Sequence, residues 1–177
     1  MDVPDTEVFE TYDVTGRPSG LAARPEVHRL GLWHRAVNVF VFYPDGRLLI
    51  QQRHSAKDVC PGTWDLSVAE HLQPGESYAD GARRGLREEL GIEIHSLEPL
   101  GREIRSVYRL DSAGIFDQEF QQSFRVNYAG RVFADDSEIQ ATRLVSLTEL
   151  KREIAAHPNR FTPWFRSRVA ELGLVNS

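Results

Sequence analysis

Glu88 and Glu89 stand side by side one helical turn after Arg84, at the end of a stretch that begins Glu70-His71-Leu72-Gln73-Pro74-Gly75-Glu76-Ser77. Adjacent carboxylates on a helix are poor packing material. They are good ligands for a hard cation such as Mg²⁺, which takes oxygen donors and commonly shares its coordination sphere with a phosphate. The residue types and their spacing therefore point to divalent-metal chemistry on a phosphorylated compound.

Taken position by position, Glu76, Arg84, Leu86, Glu88, Glu89, Gly91 and Ile92 fall where the signature of a known family requires them. The stretch 70–92 resembles the Nudix box, carried by hydrolases that cleave a diphosphate attached to another moiety. Two positions depart from it. The opening glycine of the box is Glu70, and the glutamate after the arginine is Gly85. In the family that second position often supplies a carboxylate that holds metal or activates water, so the departure touches mechanism. One reading is that Glu70 enters the same small volume and replaces the missing carboxylate. The other is that Gly85, like Gly81 one turn earlier, permits close packing of helix on strand, and that Glu70 is a solvated loop residue. A glycine inside a helix costs about 1 kcal/mol relative to alanine, so two of them four apart indicate a tight contact or a need for space.

The elements that must position these groups are legible as strands and helices. Val8–Val14 followed by Thr-Gly-Arg-Pro-Ser-Gly reads as a strand and turn. Ala36–Phe42 and Arg47–Arg53, separated by the turn residues Pro44-Asp45-Gly46, read as a hairpin. Thr63–Val68 is a further strand, and Ser77–Leu90 is the helix, with Gly91 as its stop. Leu97–Tyr108 and Glu119–Tyr128 read as strands joined by the loop Leu110–Asp117, and Ala141–Val145 as a short last strand. Ser146 and Glu149 have the spacing of a capping box ahead of a helix over Leu147–Ala156. Thr162–Leu172 reads as a terminal helix with Pro163 in its first turn. Strands before, between and after a central helix predict an α/β (α+β) fold, a mixed β-sheet sandwiched between helices, which agrees with the Nudix fold.

A chain of 177 residues suits a single domain over 1–177. Its 41% hydrophobic and 27% charged content is ordinary for a soluble globular protein. No apolar run approaches a membrane helix, and the acidic start Met-Asp-Val-Pro-Asp-Thr-Glu lacks the regions of a signal peptide, so a cytoplasmic location and no membrane partner are expected. The lone Cys60 excludes an intrachain disulfide or cysteine metal cluster. A formal net charge of -5 argues against a nucleic-acid partner but not against a phosphate substrate, provided metals lie between the two sets of negative charge. Oligomeric state is left open, a homodimer included.

Beyond the box, His34-Arg35-Ala36, Leu48–Arg53, Lys57, Pro61-Gly62-Thr63-Trp64, Ser67-Val68 and Phe161-Thr162-Pro163-Trp164 are similar to the isopentenyl-diphosphate isomerase branch of the Nudix superfamily and its hydrolase relatives. Such an isomerase moves a double bond with a cysteine and a glutamate on opposite faces of its substrate. Where the resemblance places the cysteine, this chain has Ala69, which carries no transferable proton. Cys60 lies at the far end of the preceding strand and reads as a small apolar filler. The resemblance implies metal ligation by His34 and His71, more loosely by His28, and an acidic pair at Asp117 and Glu119. Alternation sends that pair to one face, with Glu119 the inward member. It also implies diphosphate binding by Arg53 and Lys57, a guanidinium fork and a point charge of the kinds that suit phosphate, and places Trp64 near the substrate, with Trp33 a second aromatic for the pocket. For each histidine, a plain hydrogen-bonding role stands beside the ligand role.

The implied reaction is Mg²⁺- or Mn²⁺-dependent hydrolysis of a small-molecule diphosphate, of nucleoside diphosphate type. Glu88, Glu89 and Glu119 would anchor metal and Glu70 or Glu119 would accept the proton, while Glu76 and Arg84 tie loop to helix. An isoprenoid-diphosphate isomerase-like enzyme and a catalytically weak diphosphate-binding module are the alternatives.

Overall fold

The structure, a computed structural model, describes residues 7–111 and 114–175. The chain's first six residues, its last two, and Ser112 and Ala113 of the expected 110–117 loop lie outside the described residues.

A central strand organises everything else. β3 (Trp33–Phe42) pairs in parallel with β9 (Ile115–Asn127) along its whole length, from Trp33 opposite Gln118 to Phe42 opposite Asn127. On its other edge it pairs antiparallel with β6 (Val68–His71), β4 (Leu48–Arg53) and β1 (Val8–Tyr12). β1 and β2 (Pro18–Ala23) form an antiparallel ladder. β4 also receives β5 (Trp64–Asp65) and β10 (Ile139–Val145), and β9 receives β7 (Glu98–Pro99) and β8 (Ile104–Leu110).

Because successive side chains of a strand point to opposite faces, β3 feeds two cores. Val37, Val39 and Val41 pack with Val68, Leu86, Leu90 and Ile92 beneath α2 (Tyr78–Leu90). Phe40 and Phe42 pack with Leu48, Leu150, Phe165 and Val169 beneath α3 (Leu147–Ala156) and α4 (Pro163–Glu171). This explains why the strand is an almost unbroken apolar run: both of its faces are covered. Truncating a fully buried contact such as Leu86 to alanine costs about 2–5 kcal/mol. The mixed sheet between helices is the architecture expected from the sequence.

Local chemistry sets the helix ends. Ser77 accepts from the amide of Asp80, and Gly91 closes α2 in the left-handed region at φ 63°, with its N–H on the carbonyl of Arg87. At α3 the amide of Glu149 donates to Ser146 Oγ as expected. The Glu149 carboxylate, however, lies 4.0 Å from the Arg143 guanidinium.

Several boundaries differ from the expectation. β1 stops at Tyr12, and the side chain of Asp13 turns the chain by accepting from the amides of Thr15 and Arg17. The segment expected to be that turn continues into β2. A short helix, α1 (Arg24–Leu30), follows it and had no counterpart in the sequence reading. The single strand expected over 63–68 is two short ones, so Glu70 lies on β6 rather than in a loop. The 97–108 strand is interrupted after Pro99 and resumes at Ile104, and both ends of the expected 110–117 loop belong to the ladder, since Leu110 already pairs with Ile115.

Candidate functional site

The parallel pairing of β3 with β9 sets His34 opposite Glu119, and the antiparallel pairing with β6 sets His71 opposite Ala36. Three neighbouring strands thus deliver side chains to one point. His34 Nε2 lies 3.4 Å from Asp117 Oδ1 and 3.6 Å from Glu119 Oε1, and His71 Nε2 lies 3.2 Å from Glu119 Oε1. α1 adds His28, whose Nε2 is 4.0 Å from Asp117 Oδ1. The His34 ring is fixed from behind by a 3.0 Å contact between Nδ1 and the carbonyl of Leu32, leaving Nε2 to face the cluster.

His28 Nε2, His34 Nε2 and Asp117 Oδ1 are buried without a hydrogen-bond partner. A buried polar atom without a partner costs about 1–3 kcal/mol, and here three such atoms converge. Ligand atoms of His28, His34 and His71, and likewise of His34, Asp117 and Glu119, lie within 4.8 Å of one another. Burial pushes His28 down to about 3 and His34 to about 4, with neighbouring imidazoles adding to both, so each is neutral and offers a lone pair at neutral pH. Burial raises the Asp117 carboxyl, helped by the Glu119 charge. Burial is the largest influence on Glu119 and opposes its ionisation, but the hydrogen bond from His71, the neighbouring imidazoles and Gln121 together outweigh it and lower the carboxyl. A cluster of nitrogen and oxygen donors in which three buried ligand atoms stay unpartnered fits a divalent cation. Imidazole-rich sets suit Mn²⁺ and other transition ions better than Mg²⁺.

The second cluster sits on α2 and β6. Glu89 is half-buried, with Oε2 accepting from Gln51 Nε2 at 2.9 Å, and desolvation together with the nearby Glu70 charge holds its carboxyl well above the ordinary range. Arg84 joins the set: Nε donates to Glu76 Oε1 at 2.9 Å, Nη2 to the carbonyl of His71 at 2.7 Å, and Nη1 lies 3.1 Å from Glu70 and 3.3 Å from Glu88. Glu76 also accepts from the amide of Gln73. It therefore ties the turn after β6 to the helix, together with Arg84.

Gly85 faces β6 directly. A Cβ at this position would lie 2.7 Å from Val68 Cγ1, 3.2 Å from Glu70 Cβ and 3.5 Å from Glu70 Cγ. The close packing of helix on strand is thus present and leaves no room for a side chain at 85, while Glu70, expected in that reading to be a solvated loop residue, is half-buried on β6 against the glycine. Gly81 has the same relation to Leu72 and Glu76, with approaches of 3.3 Å.

Both clusters open into a single cavity of about 580 Å³. Ala69 is exposed on its wall, on the same strand as Glu70 and His71. Arg53 and Lys57 line it as expected. Arg53 Nε donates to the carbonyl of Val59 at 3.0 Å, and the Lys57 ammonium is paired with Glu138. Trp64 is a correction: it is not on the cavity wall but beneath the Arg143 guanidinium, 4.7 Å from its ring centroid, against the Phe161 side of the core. The aromatic side chains that face the cavity are Trp164 and Tyr108, packed edge to face with centroids 5.6 Å apart. Trp33 packs on Phe120 at 4.9 Å, also away from the cavity wall. Cys60 lies outside that wall too, and burial raises its thiol.

Sequence reasoning placed Glu70, Glu88, Glu89, His34, His71 and Glu119 in one site, and the fold brings them together. It missed Gln51, which holds Glu89, and underweighted His28, whose helix had not been recognised. The signal for Gln51 was available in retrospect: on β4 it is a polar residue buried beside Leu48, Leu49 and Ile50.

Residues 32–165 match the NUDIX domain family. The chain is 34% identical over 146 residues to isopentenyl-diphosphate Delta-isomerase 2 of Aromatoleum aromaticum, covering 82% of this chain and 75% of that protein. It is 40% identical over 149 residues to an isopentenyl-diphosphate Delta-isomerase of Cereibacter sphaeroides, covering 82% of each. Among solved structures, a Deinococcus radiodurans protein superposes with a TM-score of 0.68 at 25% identity, over 85% of this chain and 90% of that one.

Proposed function

Because this chain belongs to the NUDIX domain family, we propose that it is a divalent-metal-dependent hydrolase that cleaves the diphosphate linkage of a small organic diphosphate, of the nucleoside diphosphate class. The observation that carries this reading is Ala69. It is exposed on the cavity wall at the position where resemblance to the isomerases puts the proton-transferring cysteine. A methyl group moves no proton, whereas the carboxylates around it are the equipment of hydrolysis.

Bound at these clusters, a divalent cation would polarise the diphosphate and lower the pKa of water. The histidine cluster with Asp117 and Glu119 would hold one such ion, and Glu88 and Glu89 would supply the oxygen donors that suit Mg²⁺ or Mn²⁺. Glu70 is the proton acceptor in this reading: burial raises its carboxyl, which brings a base nearer to working pH. Glu119 is committed to His71 and Gln121 and serves as a ligand. Arg53 and Lys57 receive the phosphates, with Lys57 leaving Glu138 to do so. Glu76 and Arg84 keep the loop and helix in register.

The test is incubation of the metal-loaded protein with nucleoside diphosphates and isopentenyl diphosphate in Mg²⁺ or Mn²⁺, following phosphate release and, by NMR, double-bond migration. Phosphate release abolished by Glu89→Gln supports the proposal. Migration of the double bond without phosphate would establish the second reading, which the names of the relatives favour. Tight binding with no turnover of either kind would make the protein a binding module.

A further inference from the structure

Asp65 is absent from the chemistry described so far, yet it is among the most deeply placed charges in the molecule, at 1% exposure. It ends β5 and lies behind the cavity wall, in contact with the wall residues Trp164 and Arg53. Its carboxylate gathers donors from distant parts of the chain. Thr162 Oγ1 donates to Oδ1 at 2.9 Å, Trp164 Nε1 reaches both oxygens at 2.9 Å, the amide of Leu66 donates at 2.8 Å, and Arg53 Nη1 lies 3.5 Å from Oδ2. Of these partners, Trp164 and Arg53 face the cavity, and the Arg53 guanidinium lies 5.4 Å from the Trp164 ring centroid.

The geometry points to Asp65 as a positioning residue for an aromatic wall that stacks the organic part of the substrate. An indole N–H shared between two oxygens of a charged acceptor is held in plane with that carboxylate, and charge-assisted hydrogen bonds are about twice as strong as neutral ones. The N–H edge of Trp164 is thereby spent on Asp65, and a ligand meets a ring flanked by Tyr108, T-shaped to it with centroids 5.6 Å apart, and by the Arg53 guanidinium. The backbone reinforces this hold. The amide of Thr162 donates to the carbonyl of Trp64 at 2.9 Å, and Thr162 Oγ1, while donating to Asp65, accepts from the amide of Phe165 at the first turn of α4. The start of α4, and with it Trp164, is locked to β5. A planar group stacked there lies next to Arg53, so the wall suits a diphosphate whose organic part is flat, with its phosphates beyond the guanidinium. Stacking of a base on an aromatic side chain is favourable and tolerant of the base's identity, because every base has a π-face.

This inference rests on the proposed diphosphate site, and its test separates the two. Binding to the Mn²⁺-loaded protein is measured for the α,β-methylene analogue of adenosine diphosphate, which carries a planar base, and for methylenediphosphonate, which carries none. Asp65→Asn is expected to weaken the first about tenfold and the second less than twofold, and the loss should vanish when Trp164 is already phenylalanine. Equal losses for both probes, no loss, or a full loss in the Trp164→Phe background would overturn the role. A second readout needs no ligand: with Trp33→Phe and Trp64→Phe in place, Asp65→Asn should shift Trp164 emission to the red and raise its quenching by acrylamide, and unchanged fluorescence refutes the role. If Asp65→Asn does not fold, Asp65→Glu keeps the charge but displaces the indole, and the same probe selectivity is required of it. Failure of both probes to bind the unaltered protein would sink the diphosphate site, leaving the fluorescence measurement to decide on Asp65.

Discussion

Glu70 occupies the space that a side chain at Gly85 would need: a Cβ on residue 85 would come within 3.2 Å of Glu70 Cβ and 2.7 Å of Val68 Cγ1. Val68 is fully buried and branched at Cβ, so it cannot swing away. Gly85→Ala gains about 1 kcal/mol of helix propensity but overpacks the helix–strand contact at a cost of about 1–3 kcal/mol. The variant should be less stable in urea melts, and a rise in stability would contradict the packing described.

Glu70→Gln is nearly isosteric and keeps that space filled. If Glu70 accepts the proton, turnover should fall by about 100-fold or more with Mn²⁺ affinity little changed. Unaltered turnover in steady-state assays would remove Glu70 from the chemistry.

Glu89 and Glu76 should separate activity from stability. Glu89→Gln retains the neighbour Gln51 and should fold normally while losing hydrolysis. Glu76→Gln weakens the clamp on Arg84 and the amide of Gln73, which should cost about 1–3 kcal/mol and leave most of the turnover per folded molecule. Comparing thermal melts with kcat for both variants decides the matter, and the reverse pattern would exchange their roles.

Adding Mn²⁺ to chelator-treated protein should raise the melting temperature, because a ligand that binds only the folded state stabilises it by mass action. The rise should be largely lost in His34→Ala, since that removes the donor shared by both groupings of the cluster. A rise of equal size in His34→Ala would place the cation elsewhere.

Away from the site, Arg143 grips Glu153 with bonds of 2.9 and 2.6 Å, and this hydrogen bonding lowers the Glu153 carboxyl. A carboxyl lowered by folding contributes stability above its unfolded pKa and loses it as pH falls through the folded value. Glu153→Gln should therefore cost about 0.5 kcal/mol at pH 7, a difference that closes on acidification below the ordinary carboxylate range. A pH-independent difference in urea melts would show that the charge is not responsible.

The parts of this site that were legible in the sequence are those whose spacing within one element fixes their geometry. The box helix, its glycine stop and the Glu88–Glu89 pair needed only the period of a helix, and the β-branched and aromatic run of β3 announced a strand. The partners of those residues were less visible. α1 has seven residues and one fully buried side chain, Val27, too little to show a periodicity, and His28 went with it. Trp64 and Trp164 are equally aromatic in the sequence, and only the docking of α4 onto β5 decides which one meets the cavity. Asp65 belongs to no motif, because its meaning comes from Thr162 and Trp164, almost a hundred residues further along.

The parallel seam between β3 and β9 has a kinetic corollary. It joins residues 85 apart in sequence, Trp33 with Gln118 through Phe42 with Asn127, and long-range pairings of this kind are slow to form because loop closure must precede any gain from contact. The α2 hairpin with β6 can assemble early from nearby chain, but the meeting of His34 with Glu119 waits for that seam. During refolding, helical signal should therefore return ahead of the capacity to capture a cation.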